Sequence, residues 1–345
     1  MFAGIGAADL AVEHALGATP SWQLDVVGAA VRRRHWPDAL QVEADVRGVD
    51  PAALPLVDVL VAGFPCQDLS VAGSRAGLDG ARSGLYSEVI RFTAALRPGR
   101  VVLENVPGLL PYMSRLVTDF GALGYGLTWT TCRAVDAGHP HLRRRLFVLA
   151  TLGEVGRGLV AAPARSERDG RTWPTPMGSD AASSGSRSRP GSKAHPGTSL
   201  TDAVRADRAV AGERTCWPTP ATRDYRVGSG LDRAGTPPLS EVAAPTGGRG
   251  RRLNPAWVEA LMGLPIGWTS PTGPALAYDP GAPAVRGRYP ADWDRTQVWP
   301  GYDWEPPRTL PDGPPVRGRA ERLRAVGNAW CPQQGALALR ALVAA

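Results

Sequence analysis

Cys66 stands where a sulfur nucleophile could work. It lies in Gly63-Phe64-Pro65-Cys66-Gln67, directly after the apolar run 56–64. In an open α/β sheet ligands bind just beyond the carboxyl ends of strands. An isolated thiol in such a place can equally be buried and inert. Glu104 closes a second apolar run, 100–106, as Glu104-Asn105-Val106. A carboxyl group delivered to the same sheet edge could hold or donate a proton beside the sulfur, or merely cap the segment that follows. The stretch from Asp136 to Arg145 leads into a third run, 145–152, and carries Arg143 and Arg145. Alternate side chains of extended backbone share a face, so both guanidinium groups are expected to point the same way, toward a base oxygen or a phosphate. Taken alone, such an arginine cluster is usually a solvated surface. Phe2-Ala3-Gly4-Ile5-Gly6 precedes a helix beginning near Ala7. A glycine turn opening a helix lets backbone approach a ligand closely and aims free amides at it.

These residues need a sheet to hold them. The three runs are apolar almost without interruption, the pattern of strands covered on both faces. Between them, 83–96 and 113–123 carry apolar residues at helical spacing. Strands alternating with helices imply βαβ units and a mostly parallel sheet in an α/β fold. From about 153 to 250 the character changes to Gly, Pro, Ser, Thr and Arg, which marks a loop-rich second lobe or a partly disordered insertion. That stretch holds a repeat, Trp173-Pro174-Thr175-Pro176 with Asp180 and Trp217-Pro218-Thr219-Pro220 with Asp224. Its tryptophans could stack on bases or serve as local packing anchors. Asn254 to Gly263 reads as an amphipathic helix capped by Asn254, with Pro255 in its first turn. A Pro- and Trp-rich stretch, 271–318, has no functional reading. Helical character returns in Cys331 to Leu342, which is expected to pack back on the first lobe. The chain therefore divides at 1–152, 153–318 and 319–345.

Composition narrows the class. Of 345 residues 39 are basic and 32 acidic, a net charge of +7 that favours a polyanionic partner such as nucleic acid over a merely basic soluble protein. Lys193 is the only lysine, and arginine suits bidentate contacts to phosphate and guanine. The four cysteines lie far apart, without the close pairs used for zinc or redox dithiols. No apolar run reaches the length of a membrane span, and no leader pattern opens the chain. The expectation is a cytoplasmic monomer with neither metal nor membrane partner.

Taken in order, the motifs resemble those of the C5-cytosine-specific DNA methyltransferases of bacteria and phages. The resemblance rests on Phe2, Gly4 and Gly6; on Pro65-Cys66-Gln67 with Ser70, Ala72 and Gly73; on Glu104-Asn105-Val106; on Arg143 and Arg145; and on Gly327-Asn328-Ala329. It covers about 1–150 and 252–345 and implies a Rossmann-like methyltransferase sheet with a second, smaller, loop-rich target-recognition domain between. It further implies S-adenosylmethionine as methyl donor, double-stranded DNA as substrate and a cytosine flipped out of the stack. In that scheme Cys66 attacks carbon 6, Glu104 serves the ring nitrogen N3, and Arg145, helped by Arg143, binds the base oxygen. Phe2, Gly4, Gly6, Asp25, Asp45, Pro65, Leu85 and Asn328 would surround the cofactor, Asp45 on the adenine amine. Recognition arginines would come from Arg165, Arg168, Arg187, Arg189, Arg223 and Arg226.

Three departures from the family pattern stand out. The sequence begins almost inside its first motif, where the family has a whole central strand, so that either the true start lies upstream or the sheet lacks that strand, which would weaken cofactor binding. Gln23 aligns with the acid that takes the ribose hydroxyls, although Asp25 two residues on does match. His141 replaces the glutamine usual before Arg-x-Arg, which should alter positioning more than chemistry. A catalytically impaired DNA-binding relative and a transfer-RNA cytosine methyltransferase are the competing expectations.

Overall fold

The computed structural model describes residues 1–65, 85–139, 141, 143–153, 158–160, 252–272, 306–307, 309–310 and 318–345. Cys66 and the loop after it, the Trp-Pro repeat, the candidate recognition arginines and most of 271–318 lie outside the described residues.

Val101, Val102 and Leu103 have no exposed surface, and this explains why the run holding them shows no polar alternation. They form β4 (Arg100–Asn105), which pairs in parallel with β3 (Val59–Ala62). The connection between them includes α3 (Leu85–Leu96), which buries Tyr86, Val89, Phe92, Thr93 and Leu96 at helical spacing. Full burial of a side chain such as Phe92 or Leu103 contributes about 1.5–3 kcal/mol. Ahead of β3 come α1 (Ala7–Leu16), β1 (Trp22–Leu24), α2 (Ala29–His35) and β2 (Leu40–Val42), with β1 and β2 parallel. After β4 come α4 (Met113–Ala122), β5 (Tyr125–Cys132), β6 (Arg145–Leu152) and β7 (Gly158–Val160), giving the sheet order β3-β4-β6-β5-β7.

Four of the five strands run in one direction, the mostly parallel sheet that was expected, and only β6 is reversed. β6 runs antiparallel to both β4 and β5. The reason is local: among the described residues between β5 and β6 there is a single 3-10 turn, Ala134–Ala137, and no crossover helix to carry the chain back to the other edge.

The first three residues fill the slot between the two sheets. Met1 donates its amino group to the carbonyl of Val61 at 2.7 Å on one side, and the amide of Ala3 donates to Leu24 at 3.2 Å on the other.

The later part of the chain returns to this core. α5 (Pro255–Leu261) is capped as expected, Asn254 Oδ1 accepting from the Ala256 amide at 3.1 Å while its Nδ2 donates to the Pro307 carbonyl at 2.8 Å. Asn254→Ala is expected to cost about 1–2 kcal/mol, read as a lowered urea midpoint with unchanged slope. β8 (Arg252–Leu253) and β9 (Thr309–Leu310) form a small antiparallel pair. α6 (Arg319–Asn328) and α7 (Pro332–Val343) close the chain, and α7 packs on α1, β5 and β6. A Cβ on Gly335 would lie 2.8 Å from that of Ala11, so the helices approach closely there. No helix among the described residues is long and apolar enough to cross a membrane.

Candidate active site

The strand directions bring Gly63 to Pro65, Glu104 and Arg145 to one edge of the five-stranded sheet, and Asp25 and Asp45 to one edge of the smaller sheet. β1, β2, β3 and β4 run parallel within their pairs, and their carboxyl ends lead into Asp25, Asp45, Gly63 to Pro65, and Glu104. Because β6 is antiparallel to β4, with Asn105 opposite Leu146, it is the start of β6 that reaches this edge, and Arg145 comes with it.

Glu104 and Arg145 touch. Arg145 Nε lies 2.9 Å from Glu104 Oε1, with the side chains 20% and 12% exposed. Burial pushes the Glu104 carboxyl above its ordinary range, against the pull of Arg145 and Arg143. The acid is thereby poised to keep a proton nearer neutrality than a solvated carboxyl does. The register that pairs Ala62 with Leu103 sets Gly63 beside Glu104, and a Cβ built on Gly63 would stand 3.7 Å from Glu104 Oε2. Asn105 Nδ2 donates to the Phe64 carbonyl at 3.2 Å, tying the loop that leads to Cys66 to the end of β4.

Arg143 goes elsewhere. Its backbone has φ 25°, so the extended geometry expected before the strand breaks there, and it does not share a face with Arg145. The side chain is buried, and its guanidinium donates to the carbonyl of Ala329 at 2.5 Å and to that of Gly327 at 3.4 Å. Gln334 Nε2 holds the Arg143 carbonyl at 2.6 Å. Arg143 therefore joins the Arg145 segment to the Gly327-Asn328-Ala329 turn and does not reach toward a base. His141 makes a parallel link, its Nε2 meeting the Leu261 carbonyl at 3.1 Å at the end of α5. Burial, with His139 and Arg143 nearby, holds its imidazole far below its usual range, so it is neutral and Nε2 carries the proton.

The glycine loop is tied to the end of β1. Phe2, Gly4 and Gly6 have φ of 54°, 52° and 80°, the left-handed region. A Cβ on Gly4 would meet nothing within 4 Å, whereas one on Gly6 would lie 2.1 Å from the Trp36 ring. Gly4 thus borders open space and Gly6 permits close packing. Asp25 Oδ2 accepts from the Gly4 amide at 2.8 Å, and the exposed apolar Val26 and Val27 follow it. Asp45 accepts from the amide and guanidinium of Arg47, which lower its carboxyl to about 2 and keep it ionised. Leu85, at the start of α3, packs against the core; Pro65 is half-buried, and Asn328 is exposed at the end of α6.

Gln23 does not face the edge. It is 1% exposed inside β1, donating to Asp9 at 2.7 Å and accepting from Gln41 at 2.7 Å. Its side chain is thus closed in a relay with Asp9 and Gln41, while Asp25 follows the strand end.

Sequence reasoning passed over Trp330. It is buried, meets Phe147 edge-on at 5.4 Å and stands with its indole nitrogen 3.0 Å from the place of a Gly63 Cβ. Its position directly after Gly327-Asn328-Ala329 was the available signal. Among the described residues no group of three or more His, Cys, Asp or Glu could hold a metal ion.

Comparison with known proteins follows the same residues. The sequence model of the C-5 cytosine-specific DNA methylase family matches residues 1–182. The type II methyltransferase M2.BsuMI of Bacillus subtilis is 34% identical over 179 residues, 49% of this chain and 45% of that protein. M.NgoFVII of Neisseria gonorrhoeae is 32% identical over 165 residues, 45% and 44% of the two chains. The chain thus spans about half the length of the curated relatives it matches. Among solved structures, the Entamoeba histolytica methyltransferase EhMeth superposes with a TM-score of 0.53 over 99% of this chain and 96% of that one, at 10% identity. DNMT2 of Spodoptera frugiperda gives 0.51 over 99% and 98%, at 12% identity. At such identities the likeness concerns the fold alone. The family match, by contrast, covers more than half of the residues, including the glycine loop, the Pro65-Cys66 segment, Glu104 and Arg145, and on that ground the chain belongs to the C-5 cytosine-specific DNA methylase family.

Proposed function

We propose that this protein transfers a methyl group from S-adenosylmethionine to carbon 5 of cytosine in double-stranded DNA. The observation that carries the reading is the contact between the buried Glu104 carboxyl and Arg145, on the edge where the loop to Cys66 begins. Carbon 5 of cytosine is a poor nucleophile. Addition of the Cys66 thiolate at carbon 6 forms a carbon–sulfur bond and moves electron density to carbon 5. Glu104 holds the proton at N3 that makes this addition easier, and Arg145 binds the base oxygen. Release requires loss of the proton on carbon 5 and cleavage of the carbon–sulfur bond. The target must leave the stack to reach this edge.

The residues fit the cofactor. When bound, it supplies an electrophilic methyl on a sulfonium. The open space at Gly4 admits it close to the backbone, Asp25 lies at the strand end for the ribose hydroxyls, and ionised Asp45 accepts from the adenine amine. Val26 and Val27 offer apolar surface beside them. Phe2, Gly6, Pro65, Leu85 and Asn328 complete the pocket in this reading. Arg143 supports the Arg145 segment from behind. Residues 153–318 act as the target-recognition region, with 1–152 and 319–345 forming the catalytic part.

Labelled methyl transfer to mixed-sequence duplex DNA and to transfer RNA, assayed side by side, tests the proposal. DNA is expected to be labelled at carbon 5 of cytosine, visible as bisulfite-resistant positions. Labelling of transfer RNA alone would overturn the substrate, and no labelling of either by the folded protein would leave an impaired relative.

A further inference from the structure

The glycine loop is held by side chains that lie outside its own segment and outside every motif considered above. Arg32, on α2, has no exposed surface, and its Nη1 donates to the carbonyls of Gly4 at 2.6 Å and Val27 at 2.5 Å. Trp268, 1% exposed, donates its indole N–H to the carbonyl of Ile5 at 2.9 Å. Two consecutive carbonyls of the loop are therefore fixed from two directions, one by a segment 28 residues on and one by a segment 263 residues on. The amides are fixed as well: Ala3 donates to Leu24, Gly4 to Asp25 and Gly6 back to Ala3.

Each brace is itself oriented. Arg32 Nε donates to Gln41 Oε1 at 2.9 Å, Gln41 to Gln23 at 2.7 Å and Gln23 to Asp9 at 2.7 Å, a relay that crosses β2 and β1 and ends on α1. Trp268 stacks on His35 with ring centroids 3.5 Å apart and planes 7° from parallel, and meets Trp36 edge-on at 5.7 Å. The buried carboxylate of Glu259 accepts from the amides on either side of it, Gly267 at 2.6 Å and Thr269 at 3.0 Å. A Cβ on Gly28 would lie 1.9 Å from the Gly4 carbonyl oxygen, so the loop is pressed against this support.

We propose that Arg32 and Trp268 are positioning residues for cofactor binding, holding the glycine loop in its left-handed shape before the ligand arrives. The inference rests on the reading that this loop takes S-adenosylmethionine. Neither residue needs to touch the cofactor. A loop with φ above zero at positions 2, 4 and 6 has few reasons of its own to keep that shape. Without a brace the competent form is one of several, and the apparent dissociation constant rises by the inverse of its population. Trp268 also places the support in the segment that follows residues 153–250, so the two parts of the chain flanking that region build one cofactor loop.

The test uses the full chain with Arg32→Lys, which keeps the charge but not the fork, and Trp268→Phe, which keeps the ring but not the N–H. Arg33→Gln, altering an exposed pair with Glu43, serves as control. Each variant is expected to bind S-adenosylhomocysteine about 3- to 10-fold more weakly by calorimetry, the effect of one lost hydrogen bond. KM for the methyl donor should rise alike, with kcat at saturation within about twofold of wild type. Without ligand, amide hydrogens at Gly4 and Gly6 should exchange faster while the strands stay protected. Folded variants with wild-type affinity and exchange overturn the brace alone. A wild-type protein that binds no S-adenosylhomocysteine overturns the cofactor reading and the brace with it. Global unfolding of both variants assigns the pair to the core and overturns the positioning role.

Discussion

Glu104→Gln is expected to slow methyl transfer by about 10²–10⁴-fold while the protein stays folded and still binds DNA and cofactor. The amide keeps the shape of the side chain and one acceptor for Arg145 but cannot deliver a proton to N3. Cys66→Ser should abolish transfer outright, and the two variants together separate failure of proton supply from failure of addition. The stability signature is as informative as the rate. The folded-state affinity of Glu104 for its proton is raised by burial, so above the ordinary carboxyl range the native state binds more protons than the unfolded chain. Stability contributed by this group is thus fully present only below that range and is lost as pH rises through the folded value. Glu104→Gln removes the cost of ionising in place, and its melting temperature at neutral pH should equal or exceed that of wild type, an advantage that disappears on acidification. A variant with wild-type turnover would end the proposed role. One with low turnover and a large loss of stability at neutral pH would make Glu104 a structural partner of Arg145.

Gln23→Glu should lower stability at pH 8 by on the order of 3 kcal/mol and bring no gain in cofactor affinity. Read from the family pattern alone, this substitution restores the missing acid and ought to tighten binding. The fold says otherwise. Position 23 points into a closed relay, and a second carboxylate there would face Asp9, whose own carboxyl burial pushes up to about 6. The other neighbours are the amide of Gln41, the Met1 ammonium, which acts on Asp9, and Arg32 reached through Gln41. Two acids with raised folded-state values favour the protonated native state. The penalty should therefore shrink as pH falls to about 6 and below, and grow as pH rises. Urea unfolding at pH 6 and pH 8, with calorimetric titration of S-adenosylhomocysteine, measures both effects. Tighter binding with unchanged stability would show that position 23 faces the ribose after all.

Much of the catalytic edge was legible in the sequence because it depends on local rules. Uninterrupted apolar runs marked β3, β4 and β6, and the last of these matches residue for residue at 145–152. Helical spacing placed α3 and α4 within a residue or two of their observed bounds, and the Asn254-Pro255 signal located the start of α5. The order of the motifs identified the family, and the family model covers the first of the two stretches that carry them, through residue 182.

What the sequence alone determined is therefore the chemistry-bearing residue types and the elements that carry them, since capping and apolar period act over a few residues. Tertiary structure decided where those elements point. Had β6 run parallel to β4 in the same place, Arg145 at its start would stand opposite residue 99, five residues or roughly 17 Å along the strand from Glu104. One reversal without a crossover helix brought the guanidinium against the carboxyl. In the same way a positive φ at Arg143 sent its guanidinium to Ala329, and bonds to Asp9 and Gln41 closed Gln23 in a buried relay. The braces from Arg32 and Trp268 carry no local signature at all. They exist only once segments 28 and 263 residues apart have packed together, and no rule acting over a few residues can foresee that.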